Sequence, residues 1–431
     1  MARKSAGTEE RFQEYISRLF ESIGHADRRE PLRAYVAGLL LPGERKSVEP
    51  MAAKIDPRHV ESRHQSMHHF VADAPWDERA VLRVARDWAL KQFERHGPVE
   101  AWVVDDTGIP KKGKHSVGVA RQYCGVLGKQ DNCQVAVTVS LVNEVMSVPA
   151  AHRLYLPEVW ANDPRRRKIA RVPQEIEFQT KWQIARDEIS RLLADGVPKA
   201  PVISDAGYGT TTEFRDWLAD QDLVYGVGVQ GEVTVWTTDN PPPEPPAWKG
   251  RGRPPKLLRR TDDAKPYSVA ELALSLDASA WKSIRWRSGT KGDMRSRFAR
   301  VRVRAAHRDY WRSEARPEEW LLIEWPTGES APTKFWLSNV SIDTGITDLV
   351  NLVKLRWRIE RDYQELKDEI GLDHYEGRNW PGFHHHAALC IAAYAFLVAE
   401  RARLSPPAPL AFLKAASIPR GFRPRGSPDK T

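Results

Sequence analysis

The sequence predicts an α/β core that a β-rich segment interrupts and that a run of helices precedes. Apolar residues recur at helical spacing through residues 8–95, and prolines divide this region into several helices. From Ala101 onward, short runs rich in Val and Trp alternate with helical patterns as far as about residue 230, which is typical of β-α-β units. Strand patterns then follow a proline-rich stretch, and helical patterns return near Thr347.

These changes divide the chain into five segments. The proline-rich stretch is unlike the interior of a compact domain, so we expect an insertion to begin there. The tail is rich in Pro, Gly and Arg and is expected to be disordered. The segments are a helical N-terminal domain at 1–95, the first part of the core at 96–230, a β-rich basic insertion at 231–333, the second part of the core at 334–404 and the tail at 405–431.

The composition argues against a membrane protein or an exported protein. None of the apolar runs approaches the ~18 residues that a membrane-spanning helix needs. The N-terminal residues carry no apolar stretch of the kind that signal peptides contain. The sequence therefore predicts a cytoplasmic protein with no membrane partner.

The cysteine and histidine patterns do not predict a zinc site. The three cysteines are Cys124, Cys133 and Cys390, and none belongs to a Cys-x-x-Cys pair, which excludes a disulfide framework and a cysteine-rich zinc site. His64 and His68 stand four residues apart, and residues 384–386 are three consecutive histidines, but neither pattern has a third spaced ligand. A zinc site is therefore the less favoured interpretation of these histidines.

The basic residues are concentrated in the insertion. The chain contains 66 Lys and Arg against 57 Asp and Glu, which gives a net charge of +9. Residues 249–304 contain sixteen Lys or Arg against five Asp or Glu, so the remainder of the chain is nearly neutral. Such a segment is typical of a surface that binds nucleic-acid phosphates, and its excess of arginine favours this interpretation over a merely solvated surface.

Two patterns within the insertion are candidate DNA contacts. Residues 250–256 resemble an AT-hook core, in which Arg251 and Arg253 would enter a minor groove; a flexible basic loop is an equally good interpretation. Arg300, Arg302 and Arg304 alternate with valines, which predicts a strand with one wholly basic face. Repulsion along that face would favour a polyanion beside it.

Acidic residues at three places suggest a metal site. Asp105 and Asp106 end one predicted strand, Asp205 ends another, and Glu360 lies in a predicted helix. Carboxylates at strand ends of an α/β sheet point into a crevice, where they can converge on hard divalent cations. Two such cations about 4 Å apart activate water and stabilise the leaving oxygen in phosphodiester cleavage. For each acid taken singly, an ordinary turn or cap role is the alternative.

The helix that carries Glu360 is predicted to extend from near Thr347 to about Ile370. At 100° per residue, Arg356, Glu360 and Lys367 fall within about 40° of arc, along one edge of the apolar stripe. The functional interpretation is a metal-binding Glu between two phosphate-binding cations. The alternative is an ordinary Arg–Glu pair with a solvent-exposed lysine.

Three motifs occur in order along the chain: W-V-V-D-D-T-G, V-I-S-D-A-G and R-W-R-I-E-R-D-Y-Q-E-L-K. In this order they resemble the insertion-sequence transposases that have an Asp-Asp-Glu (DDE) triad, over roughly residues 95–400. The subgroup has a β-rich insertion between the second Asp and the Glu, and a Tyr-x2-Arg-x3-Glu-x6-Lys signature. Arg356, Glu360 and Lys367 match that spacing, whereas the signature tyrosine falls at Val353.

The resemblance implies a ribonuclease-H-like core in which Asp106, Asp205 and Glu360 hold two Mg²⁺ ions, with Mn²⁺ as a substitute. It favours Asp106 over Asp105, because the first Asp of the family directly precedes a Thr. Strand alternation allows only one of the two neighbours to face the site and does not say which.

The same resemblance implies a DNA transposase that cleaves the ends of an element and transfers them into target DNA. Arg356 and Lys367 would hold phosphates, and Trp357, which follows Arg356 in the signature, would offer a stacking surface for an unpaired base. The N-terminal helices would recognise the element's ends, and a homodimer associated with the nucleoid would assemble on the DNA. The alternatives are a domesticated DNA-binding regulator that does no chemistry and a structure-specific nuclease.

Overall fold

The computed structural model describes residues 7–245, 247–248, 250–251, 256–258, 264–289 and 292–405. The tail beyond residue 405, which the sequence predicts to be disordered, lies outside the described residues. The chain divides into two compact units, of which the first contains residues 7–198 and 357–405 and the second contains the described part of 199–356. Both units combine helices with β-strands, so the α/β class is confirmed.

The longer helices of both units lie in regions where the apolar periodicity predicts helix. Short helices also form at Glu158–Ala161, Pro164–Ile169, Ala206–Gly209 and Val269–Leu274, where the sequence predicts none. The helix at Lys181–Ala194 begins there because Thr180 and Gln183 form a capping box. The helices are α1 (Thr8–Ile23), α2 (Arg29–Leu40), α3 (Val48–Ile55), α4 (Val60–Ala72), α5 (Glu78–His96), α6 (Glu158–Ala161), α7 (Pro164–Ile169), α8 (Lys181–Ala194), α9 (Ala206–Gly209), α10 (Thr212–Asp220), α11 (Val269–Leu274), α12 (Ile346–Lys354), α13 (Trp357–Asp368) and α14 (Trp380–Leu404).

Strands form at the Val- and Trp-rich runs of the sequence, and further strands form outside those runs. The strands are β1 (Ala101–Pro110), β2 (Ala120–Cys124), β3 (Lys129–Val142), β4 (Ser147–Leu154), β5 (Val202–Ser204), β6 (Tyr225–Val229), β7 (Thr234–Thr237), β8 (Tyr267–Ser268), β9 (Lys282–Gly289), β10 (Gly292–Ala305), β11 (Glu319–Trp325) and β12 (Lys334–Ser338). In the first unit, β3 pairs antiparallel with β1, β2 and β4. In the second unit the strand order is β5-β6-β12-β11-β10-β7-β8, with β9 paired to β10, and only the β5–β6 pair is parallel among the pairs described.

Helix α14 is the centre of the first unit. It begins after Asn379, whose side chain caps it by accepting a hydrogen bond from the backbone N–H of Gly382 (2.7 Å). Its residues are buried on almost every side, and helices α1, α2, α4 and α5 and strand β4 pack against it. Among the described helices, none combines the length and apolar character that crossing a membrane requires.

The single helix predicted from near Thr347 to about Ile370 is wrong, because the chain forms two helices there. Helix α12 ends at Lys354 and α13 begins at Trp357. The intervening Leu355 and Arg356 are good helix formers, so the local sequence carries no signal for the break. Packing causes it: α12 packs on β5, β6 and β9 of the second unit, whereas α13 packs on β4 and α14 of the first.

The three consecutive histidines of α14 are structural. His384, His385 and His386 are 4%, 3% and 2% exposed, and their ring nitrogens lie within hydrogen-bond distance of backbone groups. Burial lowers the pKa of His384 to about 3 and that of His386 to about 4. His152 of β4 stacks on Phe383, with 5.7 Å between ring centres, and burial lowers its pKa to about 3.

These neutral histidines should make the protein sensitive to mild acid. Because the pKa is lowered in the folded state, the unfolded chain binds protons more readily below pH 6.5, and stability is lost as the pH falls from there toward 3. Each such histidine contributes up to about 1.4 kcal/mol per pH unit in this range. We expect urea unfolding at pH 7.5, 6.0 and 5.0 to show a smaller loss for His152→Phe than for the wild type. The exposed-site variant His68→Gln is the control, and an identical pH dependence for His152→Phe would contradict the assignment.

Candidate active site

The acidic pair Asp105-Asp106 lies in the middle of β1 and not at its end as the sequence predicts, because the strand continues in pairing with β3 as far as Pro110. The two side chains leave the strand on opposite faces. The carboxylate of Asp106, 26% exposed, accepts a hydrogen bond from the Lys181 ammonium at the start of α8. The carboxyl of Asp105 lies close enough to Tyr363 of α13 to contribute, after burial, to raising the pKa of that phenol. Helix α13 therefore lies on the Asp105 side of β1, and α8 lies on the Asp106 side.

Buried hydrogen bonds attach α13 to the sheet beside the acidic pair. The Tyr363 hydroxyl donates to Oγ1 of Thr138 in β3, and the Thr138 hydroxyl donates to the carbonyl oxygen of Asp105 (3.1 Å). The Lys367 ammonium donates to the carbonyl oxygen of Gly108 in β1 (2.9 Å), and only 9% of Lys367 is exposed. Burial also lowers the pKa of Lys367. These contacts give Lys367, predicted to bind phosphate, an observed role in holding the helix against the strand.

Glu360 lies in the first turn of α13 and is exposed. Trp357 begins the same helix, and the Arg358 guanidinium lies 4.9 Å from the centre of its ring. Trp357 and Arg358 also line a cavity of about 290 Å³, together with the buried Asp362. Burial raises the pKa of Asp362 to about 7. The predicted stacking residue thus lies one helical turn from Glu360, on the wall of this cavity.

In the second unit, Asp205 directly follows β5 and is the N-cap residue of α9. Its Oδ1 accepts a hydrogen bond from the backbone N–H of Gly207 (2.9 Å). Glycines allow this turn to approach β6: a Cβ added at Gly228 would lie 2.9 Å from the Ala206 nitrogen, and one added at Gly209 would lie 2.2 Å from the Gly228 oxygen. Asp205 therefore has the helix-cap role that the sequence offered as its alternative, and this hydrogen bond fixes the direction of the carboxylate.

Arg356 lies in the two-residue break between α12 and α13. Its Nη2 atom is 4.0 Å from Oδ2 of Asp205, and the two side chains are 31% and 43% exposed. The structure therefore brings a predicted phosphate-binding cation close to a predicted metal-binding carboxylate within the second unit.

The position of the signature tyrosine, Val353, is buried. Val353 is 4% exposed in α12, and a Cβ added at Gly226 of β6 would lie 3.0 Å from its Cγ1. The helix and the strand are in close contact here, so a phenol ring has no space on this side of the helix.

We therefore expect Val353→Tyr to destabilise the protein by about 1–3 kcal/mol, the usual cost of overpacking a core position. Urea unfolding measures the loss, and Val353→Ile, which adds a single methyl group, is the matched control. A Val353→Tyr protein that keeps wild-type stability and gains activity would show instead that the position opens toward the DNA and merely lacks the hydroxyl.

The positive charges of Arg300, Arg302 and Arg304 in β10 are largely compensated by contacts inside the second unit. The guanidiniums of Arg300 and Arg302 lie 4.2 and 4.8 Å from the ring centre of Trp320 in β11. Glu318 lies 3.6 Å from Arg302 and 3.2 Å from Arg304. Only 12% of the Arg302 side chain is exposed, and DNA binding by this face stays a prediction.

The AT-hook-like segment is described only in part. Arg251 is exposed, and Arg253 lies outside the described residues. DNA contacts by both arginines therefore also stay predictions.

The three acids of the predicted triad provide only carboxylate oxygens, the donor set that hard divalent cations prefer. Asp106 and Glu360 belong to the first unit, and Asp205 belongs to the second. Within either unit, the described residues include no group of three His, Cys, Asp or Glu side chains placed to hold a metal ion.

The three candidate carboxylates of this α/β chain thus lie within β1, directly after β5 and in the first turn of α13. The family model of the DDE superfamily endonucleases matches residues 18–293, and the chain belongs to this family. A probable transposase for insertion sequence element IS701 from Microchaete diplosiphon is 33% identical over 172 residues, which are 40% of this chain. The chain thus matches only 42% of the length of that relative.

These findings confirm the resemblance to DDE insertion-sequence transposases that the three motifs indicate. The matched residues include the Asp105-Asp106 pair and Asp205 but end before Glu360. The sequence interpretation did not identify Lys181, the partner of Asp106; the capping box that places it at the start of α8 was the available signal. It also did not identify Tyr363, for which the motif offered no distinguishing sign.

Proposed function

We propose that the protein is a DNA transposase of the insertion-sequence type, which cleaves phosphodiesters at the ends of an element and transfers them into target DNA. The observation that carries the proposal is that a member of the DDE superfamily endonucleases has an acid at each of the three motif positions, Asp106, Asp205 and Glu360. The relative described as a probable transposase supports the same activity.

The proposal includes a ribonuclease-H-like core that is interrupted by an insertion at residues 231–333. The long antiparallel β1–β3 pair and the parallel β5–β6 pair, each with helices packed near it, support such a core. Helices α1–α5 would recognise the element's ends, and a nucleoid-associated homodimer would assemble on two ends.

The carboxylates of Asp106, Asp205 and Glu360 would hold two Mg²⁺ ions, with Mn²⁺ as a substitute. Their chemistry supports this, because all the donors are hard oxygens and the acids are partly or largely exposed. When bound, two such metal ions supply an activated water and stabilise the charge on the leaving oxygen. Asp105, on the α13 side of β1, is the rival for the first position.

The other residues would bind and orient the substrate. Arg356, 4.0 Å from Asp205, would bind the phosphate group whose phosphodiester bond is cleaved. Lys367 and Tyr363 would keep α13, and with it Glu360, at a fixed distance from β1. Trp357 would offer its ring to an unpaired base. Further DNA contacts are proposed for Arg251, Arg253, Arg300, Arg302 and Arg304.

The proposal is tested with the full chain and a plasmid that contains the DNA flanking its gene. We expect cleavage at paired terminal inverted repeats in Mg²⁺ or Mn²⁺, no cleavage in EDTA, and joining of the cut ends to a second plasmid. A protein that binds the repeats without metal-dependent cleavage would be a regulator. One that cuts plasmids with scrambled repeats equally well, without joining, would be a structure-specific nuclease.

A further inference from the structure

The hairpin of β9 and β10 continues beyond the sheet of the second unit as a two-stranded ribbon. Strand β10 pairs with β11 only over Arg297–Val303 and with β7 only over Val303–Ala305. Its first residues, from Gly292 to Ser296, pair with β9 alone among the described strands. The ribbon therefore consists of most of β9 and the start of β10.

The two faces of this ribbon differ sharply in character. Ile284 and Ser296, which are opposite each other, are 7% and 8% exposed, and α12 packs on β9. On the other face Arg285 is opposite Arg295 and Ser283 is opposite Arg297, and all four of these residues are exposed. We call this second face the arginine face.

The arginine face has little internal compensation for its charge. Arg285 and Arg295 are directly opposed, an arrangement of like charges that destabilises a strand pair. Asp293 lies 3.0 Å from Arg285, but the two side chains are 42% and 54% exposed, which makes their attraction weak. The Arg297 guanidinium lies 3.9 Å from the ring centre of Trp325, which leaves its edge available for hydrogen bonds.

The contrast with the neighbouring arginines of β10 is informative. Arg300, Arg302 and Arg304 belong to the same strand but are held by Trp320, Glu318 and backbone carbonyls. The basic pattern of β10 thus has an inner part that stabilises the sheet and an outer part that is directed to solvent.

We propose that the arginine face is a docking surface for duplex DNA, in which Arg285, Arg295 and Arg297 contact phosphates along one groove. A two-stranded ribbon fits the ~12 Å major groove, and guanidinium forks match phosphate oxygens. The eight residues of β9 extend about 26 Å at ~3.3 Å per residue, enough to follow several base pairs. The face offers only Ser283 as a short polar side chain, so it should add affinity rather than sequence preference. This inference rests on the proposed function for its choice of DNA as partner.

The test compares the full-length triple variant Arg285→Gln/Arg295→Gln/Arg297→Gln with the wild type. Binding to a labelled duplex of the element's end and to an unrelated duplex is measured between about 50 and 300 mM salt. We expect affinity to fall about tenfold or more for both duplexes at low salt, and the salt slope to decrease by about 2–3, because up to three phosphate contacts are lost.

The matched control is Lys199→Gln/Arg308→Gln, which removes exposed cations from the same unit outside the ribbon. The proposal for the arginine face would be wrong if the triple variant kept the wild-type salt dependence of binding. It would also be wrong if the control variant lost as much salt dependence for each charge removed. A wild type that binds no DNA would overturn the proposed function as well. Circular dichroism must show the same fold in all proteins, and single variants Arg295→Gln and Arg297→Gln replace the triple one if it does not fold.

Discussion

Alanine at Asp205 or Glu360 abolishes metal-dependent cleavage of the element's ends but leaves DNA binding intact: this is the largest effect we expect. Removal of a metal-binding carboxylate forfeits several kcal/mol of transition-state stabilisation, which corresponds to a loss of about a thousandfold or more. Phosphate contacts elsewhere on the protein would keep the DNA bound. Cleavage in Mg²⁺ and gel-shift affinity, measured on the same preparations, check both halves of this expectation.

The first acid of the triad needs a paired comparison, because two lines of reasoning differ. The family motif favours Asp106, which directly precedes a Thr and whose carboxylate accepts a hydrogen bond from Lys181. The structure favours Asp105, because it lies beside Tyr363 of α13, the helix that carries Glu360. We expect Asp106→Ala to abolish cleavage and Asp105→Ala to cause a milder loss. The opposite order would assign the metal to Asp105 and leave Asp106 with a structural ion pair. A variant that cleaves at nearly the wild-type rate would remove its residue from the site.

The second large effect concerns Arg356. Arg356→Gln should fold normally, because the side chain is only partly buried and lies 4.0 Å from Asp205, a separation at which little stability is lost. Strand transfer should fall by about 10²–10³, the usual effect of removing one positioned donor to developing charge. Normal strand transfer by Arg356→Gln would show that the arginine only balances the charge of Asp205.

Lys367→Gln should behave differently, although the sequence assigns Lys367 the same role. Its ammonium is buried on the Gly108 carbonyl, so the variant should lose about 1–3 kcal/mol of stability, and cleavage should fall through the misplacement of α13. Urea unfolding separates the two variants. Unchanged stability with lost strand transfer would support the phosphate-binding role that the sequence predicts for Lys367.

Much of the fold could be predicted because it depends on local periodicity. The apolar run of α14, the Val-rich run of β3 and the short strand before Asp205 each indicate their structure within a few residues. Motif order also indicated the family, since three acids in fixed contexts are more specific than any one of them. These features are encoded by neighbours along the chain.

The contacts of the site residues could not be predicted in the same way. Helical spacing placed Arg356 and Lys367 on one edge of one helix. In the structure the first helix ends at Lys354 and a second begins at Trp357, so the two cations belong to different units. Arg356 lies near Asp205 and is partly exposed. Lys367 is buried and donates a hydrogen bond to Gly108 of β1, more than 250 positions earlier in the sequence.

By itself, the sequence determined the α/β class, the order of the acidic motifs and the concentration of positive charge in the insertion. Only the tertiary structure decided that Arg300 and Arg302 pack on Trp320 while Arg295 and Arg297 remain exposed, and that the histidines of α14 are neutral. The physical reason is that periodicity and turn chemistry are short-range properties. Burial, and with it the pKa and the availability of a charged side chain, depends on elements that are distant in the sequence.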